Sequence, residues 1–122
     1  FQMAQMNIVN VSTIYGNTTG MAVTTTPTAI VTNSASSNMV YKINTLVVSN
    51  ISGTGSASIN VDVYKNQATA YRIAYQVPVT ANTAFSPIDK GLILYLQEND
   101  SIRLTSSANS ALEAVCSYEA IS

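Results

Sequence analysis

The sequence contains no histidine and no tryptophan, one cysteine, three prolines and five glycines, and only five basic and six acidic residues among 122. Each scarcity excludes something. Without histidine, the commonest general acid–base is missing, and so is the usual partner of a nucleophilic serine or cysteine. The abundant Ser and Thr hydroxyls would depend for activation on one of three lysines or a lone carboxylate, so no catalytic residue is expected. The single Cys116 excludes an internal disulfide framework, and its alternation with Ala114 and Tyr118 places it on an apolar strand face as a small core hydrophobe. Lys42, Lys65, Arg72, Lys90 and Arg103 are scattered, which leaves out the clustered positive charge that nucleic-acid backbones require. The longest purely apolar run, Leu92 to Leu96, is far shorter than the ~20 residues that cross a bilayer as a helix. No charged segment followed by a long apolar run opens the chain, so no retained signal peptide is expected. Metal-ligand spacings are missing too, and the glycine-rich "SGTGS" lies between two strand patterns rather than before a helix, so no cofactor is expected.

What fills the sequence instead is uncharged. Charged residues make up 9% of the chain, against the roughly 25% of ordinary soluble domains. Ser, Thr and Asn take over the polar surface. With a formal net charge of −1, copies of the chain hardly repel one another, and such a balance favours association.

Strand patterns recur along the chain. In "SINVDVY", Ile59, Val61 and Val63 alternate with Asn60, Asp62 and Tyr64, the period of two of a half-buried strand. "YKINTLVVSN" carries Tyr41, Ile43 and Val47 on one parity and Leu46 and Val48 on the other, the pattern of a central strand covered on both faces. Further patterns lie at 7–15, 20–25, 28–33, 71–79, 92–97, 101–106 and 111–120, separated by "GNTTG", "NSASSN", "SGTGS", "PID" with Gly91, "END" and "SSANS". Residues 66–76 have some helical character, but Val77-Pro78-Val79 favours an extended reading. Turn signals every ~8–12 residues predict an all-β fold, a two-sheet antiparallel β-sandwich of jelly-roll or related Greek-key topology. Residues 7–122 form the single sandwich domain in this reading, and residues 1–6 an N-terminal arm. In that arm Phe1, Met3 and Met6 have no local partner, which makes them candidate contacts to an adjacent subunit.

Three further features are candidates for function. Glu98, Asn99 and Asp100 interrupt the alternation of Leu92, Leu94 and Leu96 before Ile102 and Leu104 resume it; Asn tolerates a left-handed backbone and Asp accepts turn amides, so the cluster is expected to be a structural hairpin corner. A catalytic carboxylate pair needs a cleft, and a calcium site needs six or more oxygens. Neither can be assembled from the neighbouring residues. Tyr64 and Tyr95 lie opposite the apolar series of their strands, which makes them candidate interface residues, or a platform for stacking a sugar beside Asn60 and Asp62. Sequons at Asn10, Asn17, Asn50 and Asn99 are about as many as chance gives in so Asn-, Ser- and Thr-rich a chain.

The stretches "NVSTIYGNTTG", "YKINTLVVSNISGTGSASINVDVYKN" and "LYLQENDSIRLTSSANSALEAVCSYEAIS" together resemble small all-β virion structural proteins of tailed bacteriophages, similar to those of marine cyanobacterial myoviruses. The family pattern more often has Gly where this chain has Asn99. The resemblance implies a virion location and a non-enzymatic role as capsid decoration or cement, or a neck or tail position. It also implies homo-oligomeric contacts and partners such as the major capsid protein, with neither nucleic acid nor membrane among them. The alternative from the residues themselves is a carbohydrate- or host-surface-binding module built on Tyr64, Asn60 and Asp62.

Overall fold

The computed structural model describes residues 13–89, 91–92 and 94–122. Phe1, Met3 and Met6, with the whole arm at 1–6, and Lys90 therefore lie outside the described residues.

The described residues form nine strands: β1 (Ile14–Val23), β2 (Thr28–Thr32), β3 (Val40–Asn50), β4 (Ala57–Lys65), β5 (Thr69–Val79), β6 (Ala84–Ile88), β7 (Leu94–Leu96), β8 (Ser101–Ser106) and β9 (Leu112–Ile121). They pair antiparallel in two sheets, one in the order β1-β9-β3-β6 and the other in the order β2-β8-β4-β5. β7 pairs with β3 at Tyr41–Ile43, and β6 pairs with the same strand at Leu46–Ser49. The two short strands thus share one flank of β3 as an interrupted single strand. Counted that way, eight strands wind in jelly-roll order, each sheet drawing its neighbours from both halves of the chain.

The two sheets bury their facing sides. Leu46, Val48, Ile88, Leu112 and Cys116 from the first sheet meet Ile59, Val61, Ile102 and Leu104 from the second, all nine with no accessible surface. Each such large aliphatic side chain contributes roughly 1.5–3 kcal/mol on leaving water. At one end of this inner face, the rings of Tyr41 and Tyr118 stack with centroids 5.1 Å apart.

Three local expectations change, and the extended reading of residues 66–76 holds. "GNTTG" is no turn: β1 runs through it in unbroken register with β9, from Ile14↔Ile121 to Val23↔Leu112. A ten-residue partner free of Gly and Pro carries the strand across a sequence that would turn by itself. β6 occupies part of the stretch taken for punctuation, because Pro87 lies on a sheet edge where its missing N–H leaves no partner wanting. Residues 66–76 contain no helix. Asn66 and Gln67 adopt φ of 56° and 53°, and Ala68 N–H donates to Lys65 C=O at 3.0 Å, closing a tight hairpin between β4 and β5. Finally, β3 is central in its sheet but covered by the second sheet on one face only. A bulge between Ile43 and Thr45 switches its phase, so Ile43 before it and Leu46 and Val48 after it all point into the core.

Candidate functional site

Leu96 ends in the first sheet and Ser101 begins in the second, so Glu98, Asn99 and Asp100 form a crossover corner between sheets rather than the tip of a hairpin. Asp100 is fully buried. Its Oδ2 accepts from Lys65 Nζ at 2.6 Å and from Gln97 N–H at 3.1 Å, and its Oδ1 accepts from Asn66 N–H at 2.9 Å. Glu98, 2% exposed, accepts from Asn38 N–H at 2.6 Å. Asn99 takes φ of 71°, donates its N–H to Asn33 C=O at 2.7 Å, and donates from Nδ2 to Asn66 Oδ1 at 3.1 Å. The left-handed backbone is one that Asn tolerates better than most residues and Gly better still.

A buried amide completes this corner. Asn33 donates from Nδ2 to Met39 C=O and to Leu96 C=O, both at 2.9 Å, which ties the end of β2 to β7 in the opposite sheet. Asn50 does the same at the other end of the sandwich, donating to Gly55 C=O at 2.9 Å and Val79 C=O at 2.7 Å and accepting from Ser52 N–H at 2.9 Å. Asn33 is not singled out in the sequence and Asn50 only as a sequon, since nothing distinguishes a buried Asn from the surface ones in so Asn-rich a chain.

The acidic corner is therefore saturated by partners from its own chain. A fully buried carboxylate held by a lysine and two backbone amides has no room for substrate, and it serves to join three loops. Among the described residues no group of three His, Cys, Asp or Glu side chains is placed to hold a metal ion.

Tyr64 and Tyr95 are not brought together, because they lie on the outer faces of different sheets. The Arg103 guanidinium sits 3.7 Å from the centroid of the Tyr64 ring and covers that face. Arg103 and Arg72 both lie opposite Asp62 in the sheet register, and Arg72 Nη1 reaches the two Asp62 carboxylate oxygens at 2.9 and 3.2 Å. Arg72 in turn lies 5.0 Å from the Tyr75 ring centroid. Tyr64, Arg103, Asp62, Arg72 and Tyr75 thus form one ladder of alternating ring, cation and anion on the outside of the second sheet. Tyr95 stands opposite Lys42 on the first sheet and is 45% exposed. Lys42 lies 3.8 Å from Glu119. Every cation among the described residues is thus engaged by an anion or a ring, and no open basic surface remains.

A shallow depression of about 450 Å³ on the second sheet is lined by Ser58, Asn60, Gln76, Ser106 and Ser107, all uncharged. Cys116 is buried on the inner face, and burial pushes its thiol up from 9.0 to about 11. The same loss of water, with Tyr41 and Cys116 nearby, raises the Tyr118 phenol.

No family model matches the chain, and no curated protein matches it. Among solved structures it is similar to a chain of the Bacillus endospore appendages described as a novel family of disulfide-linked pili, with 12% identity and a TM-score of 0.52 over 98% of this chain and 96% of that one. That likeness shows the shared fold. Two structures of a pentameric capsid protein isolated from metagenomic phage sequences align at 19% and 17% identity, with TM-scores of 0.42 and 0.41, over 84% of this chain and 59% and 60% of those chains.

Proposed function

We propose that the chain is a non-enzymatic structural protein of a tailed-phage virion that works by repeated protein–protein contact, as a capsid decoration or cement protein or at the neck or tail. The observation that carries this reading is where the ionisable groups are spent. Asp100, Glu98 and Asp62 are buried inside the fold, the cations beside them are neutralised, and among the described residues the outward surface is mostly hydroxyl, amide, tyrosine and aliphatic, with Asp89, Glu113 and the paired Arg72 its exposed charged residues. A surface of that kind has little desolvation cost to overcome on contact with another protein, and offers nothing for acid–base or nucleophilic chemistry.

Two supports stand beside it: the resemblance of the sequence to small phage virion proteins, and the jelly-roll sandwich itself, an architecture common in capsid domains. The fold likeness to a pilus-forming protein suits a building block as well, although the disulfide linkage of those pili has no counterpart in Cys116, which is sealed in the core. The major capsid protein is the expected principal partner.

The carbohydrate-binding alternative loses its platform, because Arg103 occupies a face of Tyr64 and Arg72 occupies the Asp62 carboxylate. Purified virions labelled with an antibody to this chain test the proposal. Regular labelling of the particle surface is expected. Particles that carry none of the chain would refute it.

A further inference from the structure

Of the sheet edges in this sandwich, one is built differently from the others. β2 is five residues long and bulged between Ala29 and Val31. β5 carries two register shifts, Arg72 and Pro78. β6 and β7 are short, interrupted and marked by Pro87. These are the devices by which β-proteins keep sheet edges from pairing with other chains. β1, "IYGNTTGMAV", has none of them: ten residues, no charge, no proline and no register shift. Among the described residues nothing pairs with its outer side.

The free hydrogen-bonding groups can be assigned. Thr13 and Ser122 exchange both backbone bonds, at 3.0 and 2.9 Å, so Thr13 faces β9. Because bonded residues alternate along an antiparallel strand, the odd residues 15–23 also bond to β9. Ile14, Gly16, Thr18, Gly20 and Ala22 then turn their N–H and C=O groups to the outer side, away from β9. All five are exposed.

We infer that this edge pairs with the β1 edge of a second copy, antiparallel about a two-fold axis at Thr18, giving one continuous eight-strand layer across the two protomers. This deepens the assembly reading above and rests on it. The dyad sets Thr18 against Thr18, Gly16 against Gly20, Ile14 against Ala22, and Tyr15 against Met21. At a two-fold axis a residue meets its own copy and beside it each residue meets a near neighbour's, and this strand carries no charge that could repel across those pairs. Tyr15 against Met21 is a favourable ring–sulfur pair. The five bonded pairs would exchange about ten hydrogen bonds, the number found in an ordinary stable interface.

The glycines support the same contact. Neither Gly16 nor Gly20 has a positive φ, and a Cβ on Gly16 would meet nothing within 4 Å while one on Gly20 would make only ordinary contact at 3.4 Å. The isolated protomer therefore gives no reason for either glycine. Glycine within a strand often marks the close approach of another backbone, and here the two oppose each other across the dyad.

The test uses Thr18→Asp and Thr18→Lys, each made in the full chain at an exposed position. Wild-type protein is expected to self-associate by native mass measurement. Either variant alone places like charges opposite each other at the axis and loses this contact, and an equimolar mixture of the two regains it. Hydrogen exchange supplies a second readout: the amides of Gly16, Thr18 and Gly20 gain protection on association, while those of Asn17 and Thr19 are protected throughout. If the wild type assembles and Thr18→Asp assembles equally, the edge contact is wrong and the assembly reading survives. A mixture that fails to re-pair also overturns the dyad. A wild type that stays monomeric overturns both.

Discussion

Asp100 shows how a carboxylate becomes structural. Its oxygens accept from one ammonium and two backbone amides at a point where the chain leaves one sheet for the other. Asp100→Ala leaves the Asn66 and Gln97 N–H groups without acceptors in a buried corner and should cost about 2–4 kcal/mol in denaturant unfolding. A loss below about 1 kcal/mol, the level of an exposed pair, would mean that the corner is solvated and the residue dispensable. Cys116 gives a second test at this scale. Its thiol titrates at about 11 in the folded chain, against 9.0 ordinarily. The unfolded chain therefore loses this proton first as pH rises, binds fewer protons than the native state between those values, and is favoured by further base. The stability present below pH 9.0 should fall as pH climbs through about 11. Thermal unfolding of wild type against Cys116→Ala isolates this slope, which should be shallower in the variant; equal slopes would show that the thiol is not sealed.

The strands were readable where two-residue alternation coincided with burial. Ile59 and Val61 in β4, and Ile102 and Leu104 in β8, point inward as their spacing indicates. Legibility failed where a partner strand overrode local preference. "GNTTG" has every mark of a turn, and only β9, nearly a hundred residues away, holds it extended. In β3 a single extra residue at the bulge reverses the faces, and no property of Asn44 itself announces it. At the acidic corner the turn chemistry was visible in Asn99 and Asp100, but the switch of sheets was not, since strand order is a long-range property. Tyr64 was legible as an outward residue, while the cover supplied by Arg103 depends on pairing of β4 with β8. The crossover is held by Asn33, whose side chain links β2 to β7. Asn33→Ala should cost about 1–3 kcal/mol. Hydrogen exchange should show the loss concentrated in residues 94–100, and a uniform loss across both sheets would contradict this local role.

At the scale of the whole molecule, the charge placement and the edges describe one design. Several of the few charges fasten a corner and the outside of the second sheet, while β1 presents exposed Ile14 and Tyr15 at one end and Val115 of β9, opposite Gly20, is 49% exposed. Contacts made by such a surface are apolar and backbone-mediated, so added salt should not screen them. This sandwich, in the function proposed for it, exists to be held by copies of itself and by other protein surfaces. Native mass measurement of the purified chain across a concentration series, repeated at low salt and at about 1 M sodium chloride, where the screening length is only ~3 Å, tests it most directly. An assembly that grows with concentration and persists in salt is expected. A monomer at every concentration, or an assembly that salt dissolves, would contradict it.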